Sequence, residues 1–380
     1  MDFSLEPHHV ELRDQVRQII RDTVDDNAVE LTHQTGTNHV PALTTALGKT
    51  GILASAMPGE GQDPIAMWML TSECERMAAP FDSIGMTLSI AGVVHALGSE
   101  HHKETMLAGL LSGEELVCFG LTEPDGGSDL PAITTKAEPD GDGWVINGSK
   151  MWTTMAHIAD WIFLLARTGS ADQVGRYGGF TIFVFPMDTP GISIDPIWTM
   201  STERSNATFY DDVRVGSEAV LGEVNGGWHV LSTMLGFERG MGNTGALTPL
   251  LRRFGAWARK AGVIDDPLVR ERMARIAIDA QVAELLTQRT VWTAASGLPP
   301  GTEGSITKVF LTEAYQHHAR WAQETAGPEG LLGLGEPGAA AEGWIDYDVR
   351  HSVPQTIQGG TTEINRNNIA ERHLGLPRSR

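Results

Sequence analysis

The 380 residues carry 48 acids against 28 bases, a formal net charge of −20 with the acids spread along the chain, and this argues against nucleic acid as a partner because phosphates need a basic face. Hydrophobic residues at 41% and charged ones at 20% exclude a disordered or fibrous chain and suffice for a large core in two or three packed regions. No apolar run approaches the roughly 18 residues of a bilayer span, and Cys74 and Cys118 form no CxxC pair, so neither membrane insertion nor a structural zinc is expected.

In chain order, Asp2, Glu6 and Glu11 break any secretory-signal pattern, and the expected location is the cytoplasm. Leu12, Val16, Ile19 and Ile20 recur at helical spacing, as do Leu43, Ala46, Leu47 and Ile52. Residues 1–116 therefore read as an N-terminal α-helical domain. From 117 to 221 the pattern becomes short apolar runs (Trp144-Val145-Ile146, 161–166, 180–185, Ile192-Ser193-Ile194, Thr208-Phe209-Tyr210) punctuated by turn clusters such as Pro139-Asp140-Gly141-Asp142-Gly143, a central β domain. From 222 to 380 helical patterns return, for instance Val269, Met273, Ile276, Ala277 and Ala280. The expected class is α+β: a helical domain, a β-barrel or sandwich, and a C-terminal helical bundle.

The pairs His8-His9, His101-His102 and His317-His318 match no ligand spacing and read as mostly exposed helix residues, with no metal site. Arg252, Arg253, Arg259 and Lys260 read as a solvated helix face, or alternatively as a site for an anionic group. Gly327, Gly330, Gly333 and Gly335 lack the strand-then-helix context of a dinucleotide loop and read as an ordinary loop.

Two places carry chemistry. Phe119-Gly120-Leu121-Thr122 alternates like a strand end whose hydroxyl and N–H groups can face one ligand, and Pro124-Asp125-Gly126-Gly127-Ser128 must then turn sharply. By itself this also fits a surface turn. On the helix starting near Trp228, the apolar stripe Leu231, Met234, Leu235 continues into Glu238 and Met241. A carboxylate on an apolar stripe is costly unless paired or used. It is either a general base with a pKa raised by desolvation or a structural group satisfied by Arg239 or another cation. Gly240, Gly242 and Gly245 follow, which fits a frayed or kinked helix or space for a bulky group.

Phe119 to Asp129, with its aromatic-x-Leu-Thr-Glu-Pro-x-x-Gly-Ser-Asp order, and Ile146-Asn147-Gly148-Ser149-Lys150-Met151-Trp152-Thr153-Thr154 resemble two segments of the acyl-CoA dehydrogenase family. Met1 to Leu5 leading into an Arg-rich helix, Leu97-Gly98-Ser99-Glu100, and Gly359-Gly360-Thr361-Thr362-Glu363-Ile364 extend the resemblance over nearly the whole chain. It implies an FAD cofactor. Phe119, Leu121 and Thr122 would contact the isoalloxazine, Gly127 and Ser128 would line the pyrophosphate and acyl-CoA entrance, Trp152 and Thr154 would flank the ring, and Thr361 and Glu363 would reach the flavin from the last helix.

In most of the family a Glu precedes the C-terminal Gly-Thr, but here Gly359 stands there. Leu235-Gly236-Phe237-Glu238-Arg239 is similar to the Leu-x-x-Glu-Arg element that carries the base in branches acting on branched or long acyl chains. The resemblance thus implies α,β-dehydrogenation of an acyl-CoA to the 2-enoyl-CoA, with Glu238 taking the α-proton, Arg239 positioning its helix, the Gly359 N–H polarising the thioester carbonyl, and hydride passing to flavin N5. It further implies an electron-transfer flavoprotein as acceptor and a homotetramer or heterotetramer. Met155-Ala156-His157 and Glu203-Arg204-Ser205-Asn206 are similar to the actinobacterial branch acting on steroid and other bulky thioesters. His157 itself reads as a packed strand-end residue or a polar group near the flavin.

Three departures concern the cross-subunit half of the cofactor site: Glu324 replaces the family's Gln, Gly327-Pro328 replaces Gly-Gly, and Arg252-Arg253-Phe254-Gly255 is no clean Arg-x-x-Phe-Gly. They leave open a subunit of a heteromeric dehydrogenase with a partial flavin site. A flavin oxidase or monooxygenase on the same fold also stays open.

Overall fold

The helical periodicity of the first third is realised in α1 (Pro7–Thr23), α2 (Asp26–Thr35), α3 (Pro41–Lys49), α4 (Ile52–Ala56), α5 (Pro64–Arg76), α6 (Asp82–Leu97) and α7 (Glu100–Ser112). The computed structural model describes residues 1–169, 175–240, 246–298 and 301–378, with the side chains of 238–240 outside the description. Val16, Ile20, Leu43, Leu47 and Ile52, the residues at helical spacing, meet Leu70 and Leu88 in one core. Helix α6 is apolar all round, and from Ser83 to Val94 only Met86 is not buried. A helix without a polar face must lie inside, and α6 is wedged between the N-terminal helices and the β domain.

The middle third forms β1 (Val117–Gly120), β2 (Lys136–Asp140), β3 (Gly143–Lys150), β4 (Trp161–Arg167), β5 (Phe180–Pro186), β6 (Ile192–Trp198), β7 (Arg204–Gly216) and β8 (Val220–Leu221). They make one sheet in the order β6-β7-β3-β2-β4-β5-β8, with β1 parallel to β4. The runs in β4 and β5 are continuously apolar because both faces are covered. Phe163, Leu165, Ile182 and Val184 face α6 and its neighbours. Ile162, Leu164, Phe183 and Phe185 face Ala137, Ile146, Tyr210 and Val213, where the sheet packs on itself. Strand β2 was not expected; Ala137 is its single buried residue, so its sequence has no apolar signal, and it takes in Pro139 and Asp140 of the expected turn.

The last third holds α8 (Gly227–Gly240), α9 (Leu247–Lys260), α10 (Pro267–Ala295), α11 (Glu303–Ala326), α12 (Trp344–Gln355) and α13 (Thr362–Asn368). Helices α9 to α12 share a core around Leu250, Phe254, Ile276, Tyr315 and Ile345, whereas α8 buries Val230, Leu231 and Met234 against α6 and the sheet. Gly92 on α6 permits that approach: a Cβ there would lie 2.4 Å from the Pro58 carbonyl oxygen, 2.9 Å from Pro58 Cγ and 3.2 Å from Phe237 Cε2. Gly92→Ala is accordingly expected to destabilise by about 1–3 kcal/mol through overpacking; an unchanged denaturation midpoint would show that the Pro58 loop yields freely. Among the described residues no helix is long and apolar enough to cross a membrane.

Two surface expectations are corrected. In each histidine pair the second ring is buried, His9 at 4%, His102 at 3% and His318 at 1% exposure, because adjacent helical residues point about 100° apart and only one can face out. His102 closes a capping box with Ser99 at the start of α7, and His318 bonds Asp279 at 2.7 Å. Arg253 is not on the solvated face with Arg252, Arg259 and Lys260. It turns inward to Asp348, which is fully buried.

Candidate functional site

Apart from Glu238 and Arg239 on α8, the expected site residues fall in three places. In the first, Thr122 leaves β1 and enters a tight turn closed by mutual backbone bonds between Glu123 and Gly126, both 3.1 Å. Gly127 lies beside Thr122, since a Cβ on it would sit 3.6 Å from Thr122 Cγ2 with nothing else within 4 Å. Phe119, Leu121 and Thr122 are half-buried and Gly127 and Ser128 are exposed. The Gly127-Ser128 corner is thus an exposed rim of small groups.

The second place is the end of β3, and it joins the first. The Met151 N–H donates to the Thr122 carbonyl at 2.8 Å. Trp152 follows with φ +61 and is 53% exposed. A bulky non-glycine residue in the left-handed region is strained, and such residues concentrate at ligand sites. Thr153 and Asn206 grip the strained loop from below: the Thr153 N–H donates to the Asn206 carbonyl at 2.9 Å, and the Asn206 amide donates to the Thr153 carbonyl at 3.0 Å. Thr154 is half-buried and its hydroxyl is 3.4 Å from that of Ser205.

His157 is the packed residue of the two readings. Its Nδ1 faces the Asn206 amide at 3.2 Å and its Nε2 faces Thr37 Oγ1 at 2.7 Å. The amide can only donate there, so Nδ1 accepts and Nε2–H donates to Thr37. Burial, then the nearby Arg204, hold the imidazole down at about 4. The unfolded chain therefore takes up a proton that the folded one refuses between pH 6.5 and about 4. Stability from this group is present above 6.5 and is lost on acidification through that window. His157→Gln should flatten that limb of a stability–pH curve, checked by denaturant midpoints at pH 7 and 5; parallel curves would contradict it.

The third place is the C-terminal turn. Gly359 and Gly360 have φ +64 and +90, the positive-φ region that glycine occupies freely. Thr361 then caps α13, its Oγ1 accepting from the Ile364 N–H at 3.2 Å, and Glu363 is exposed on the first turn. Lys308 donates to the Gln358 carbonyl at 2.7 Å and Asn365 to the Gly360 carbonyl at 3.0 Å, so the turn is held from both sides. Glu238 and Arg239 belong to the last turn of α8, but their side chains, and Met241, Gly242 and Gly245 altogether, lie outside the described residues.

Sequence reasoning missed the groups that hold the first two places together. Lys150, fully buried at the end of β3, donates to Glu123 at 2.9 Å and to the Leu121 carbonyl at 3.1 Å. Glu123 also accepts from the N–H and hydroxyl of Thr134 and the N–H of Thr135 at 2.6–2.8 Å. Burial pulls the Glu123 pKa up, but Lys150 and these donors outweigh it and leave it at about 2. Both residues sit inside the motifs, and the available signal was a Lys and a Glu amid strand residues.

A separate cluster at the starts of α1 and α5 is His8, His9 and Asp63, whose potential donor atoms lie within 4.8 Å of one another. Asp63 is occupied as the cap of α5, accepting from the Ile65 N–H at 2.9 Å, and lies 2.7 Å from His9 Nε2. That is hydrogen-bond distance, shorter than the roughly 3.3 Å that separates two ligands of a tetrahedral ion with bonds near 2.0–2.1 Å.

Glu324 forms an ion pair with Arg272 at 3.1 Å, and Pro328 lies in a short 3-10 turn, Gly327–Leu331.

Three family models match in succession: the acyl-CoA dehydrogenase N-terminal domain at residues 6–114, the middle domain at 118–213 and the C-terminal domain at 225–374. The Mycobacterium tuberculosis acyl-CoA dehydrogenase FadE29 is 32% identical over 100% of this chain and 99% of its own; acyl-CoA dehydrogenase IpdE1 of the same organism is 34% identical over 74% and 72%. Among solved structures, the Tcur3481-Tcur3483 steroid ACAD matches with a TM-score of 0.90 at 31% identity over 100% of both chains. The ChsE4-ChsE5 complex from Mycobacterium tuberculosis matches with 0.87 at 29% identity, again over 100% of both. With every third of the chain matched in order, and with the helical, β and helical architecture intact, this protein belongs to the acyl-CoA dehydrogenase family of oxidoreductases.

Proposed function

We propose that the chain carries out FAD-dependent α,β-dehydrogenation of an acyl-CoA thioester, with Glu238 as the base for the α-proton. The observation that carries this is the exposed Trp152 on a left-handed backbone, bonded through Met151 to the Thr122 segment. An aromatic plane, a hydroxyl and an open glycine turn side by side fit a flavin ring and the pyrophosphate behind it. Phe119, Leu121, Thr122, Trp152 and Thr154 would hold the ring, Gly127 and Ser128 the entrance, and Thr361 and Glu363 the C-terminal side. Bound FAD supplies the acceptor for the hydride that leaves the substrate β-carbon.

The rest is the work of this chain. Glu238 follows Met234 by four residues on α8, the spacing that keeps two residues on one helix face, and a carboxylate serves as the base for the α-proton best when its pKa lies near the operating pH. The Gly359 N–H is a donor for the thioester oxygen and stabilises the charge that builds there as the α-proton departs. Arg239 positions the end of α8, and Trp152 shields the reacting face from water. Regions 1–116, 117–221 and 222–380 would then supply the α6 wall, the flavin rim and the base. We assign the acyl group to the bulky, steroid-like class on the similarity to the steroid ACAD, and an electron-transfer flavoprotein as acceptor.

The test is the visible spectrum of the purified protein, titrated anaerobically with straight, branched and steroid acyl-CoA thioesters. Bleaching of a flavin band by a thioester is the expected result; a flavin that bleaches with none of them sinks the reading. A second reading, a subunit of a heteromeric dehydrogenase, is favoured by one observation: Glu324, at the cross-subunit loop, is engaged by Arg272. It predicts flavin uptake only when a related subunit is co-expressed.

A further inference from the structure

We propose that Lys150 and Glu123 are positioning residues for the flavin-facing groups, a buried pair that sets the Thr122 segment and the Trp152 loop in register. This rests on the flavin reading above. Lys150 is the last residue of β3, two before Trp152, and Glu123 directly follows Thr122. The Lys150 ammonium spans the two segments, reaching Glu123 Oε1 and the Leu121 carbonyl, while Met151 binds the Thr122 carbonyl beside it. Glu123 in turn collects Thr134 and Thr135, so the whole 122–135 excursion is tied to the end of β3.

The physical argument is one of cost. A fully buried ion pair usually adds little net stability over apolar residues of the same shape, because both charges are desolvated. Its geometry, however, is directional, and a half-satisfied buried charge is strongly disfavoured, so the pair tolerates one register of the two segments. That constraint matters here because Trp152 and Met155 both hold positive φ, a conformation that persists only where the surroundings over-determine it. The backbone bonds of Met151 and Thr153 hold the same loop, and the pair adds to them the one constraint that depends on charge.

The test compares the wild type with Lys150→Met and with the double variant Lys150→Met/Glu123→Gln, which removes both charges and keeps one carbonyl oxygen as acceptor for the N–H and hydroxyl of Thr134, though not a second for the Thr135 N–H. Three quantities are read: thermal midpoint, FAD affinity of the deflavinated protein, and quenching of flavin fluorescence by the stacked indole. The single variant is expected to lose stability. The double variant is expected to regain part of the thermal midpoint, since the Thr135 N–H and the Leu121 carbonyl lose their partners, yet bind FAD at least about tenfold more weakly with reduced quenching.

A double variant with wild-type FAD affinity and quenching overturns the proposal and leaves the pair structural only. A double variant that no longer unfolds cooperatively also overturns it, since the pair would then determine folding. A wild-type protein that binds no FAD, alone or co-expressed, fails the flavin reading instead, so the two failures are distinguishable.

Discussion

Glu238→Gln is expected to lower kcat for thioester dehydrogenation by about 10²–10⁴-fold, with the flavin spectrum and thioester binding unchanged. The expectation follows from what surrounds the position. Val230, Leu231 and Met234 on α8 are 0–1% exposed, and Phe237 is fixed against α6 by the close approach at Gly92. Position 238 lies four residues after Met234 on the same helix, an isosteric amide keeps the shape of its side chain, and what is lost is the proton acceptor. Nor can the family's usual base position substitute, because Gly359 has no side chain and holds φ +64. Single-turnover bleaching by a good substrate is the direct measurement. A rate within a few fold of wild type, less than about 1 kcal/mol in the transition state, would remove Glu238 from the role.

The second large effect is on stability. Arg253→Leu should cost about 3–5 kcal/mol, the range for removing one partner of a buried ion pair. Asp348 is 0% exposed and meets Arg253 at 2.5 Å and the Tyr315 hydroxyl at 2.8 Å, and burial already pushes its carboxyl above the ordinary value. Without the guanidinium it is left buried with one donor. Arg253 also lies over the Trp344 ring at 4.7 Å, so the double variant Arg253→Leu/Asp348→Leu separates the two contributions. Recovery of the denaturant midpoint in the double variant assigns the loss to the orphaned carboxylate; equal losses in both assign it to the lost stacking. Because α12 runs directly into the Gly359 turn, the single variant should also loosen that turn, visible as faster amide exchange at residues 356–362.

The order of helical, β and helical thirds was legible from periodicity, because each third repeats its pattern over many residues and its buried faces follow that pattern. The runs 161–166 and 180–185 announced strands, and Val16, Ile20, Leu43 and Leu47 announced helices, whereas the burial of those strands on both faces and the shared helical core came with the tertiary structure. The strand end at Phe119 and Gly120, the turn after Thr122 and the strand through Trp144-Val145-Ile146 were also readable, since turn and strand chemistry there is local. Tertiary structure alone decided the rest. It showed that Trp152 sits on strained backbone against the Thr122 segment, that His157 is held neutral between Thr37 and Asn206, and that Arg253 abandons its basic cluster for Asp348. It also brought Lys150 to Glu123 across 27 residues of chain. The physical reason is the same each time: periodicity records which face of an element is buried, whereas the partner of a buried polar group is set by long-range approach, which leaves no periodic trace in the sequence.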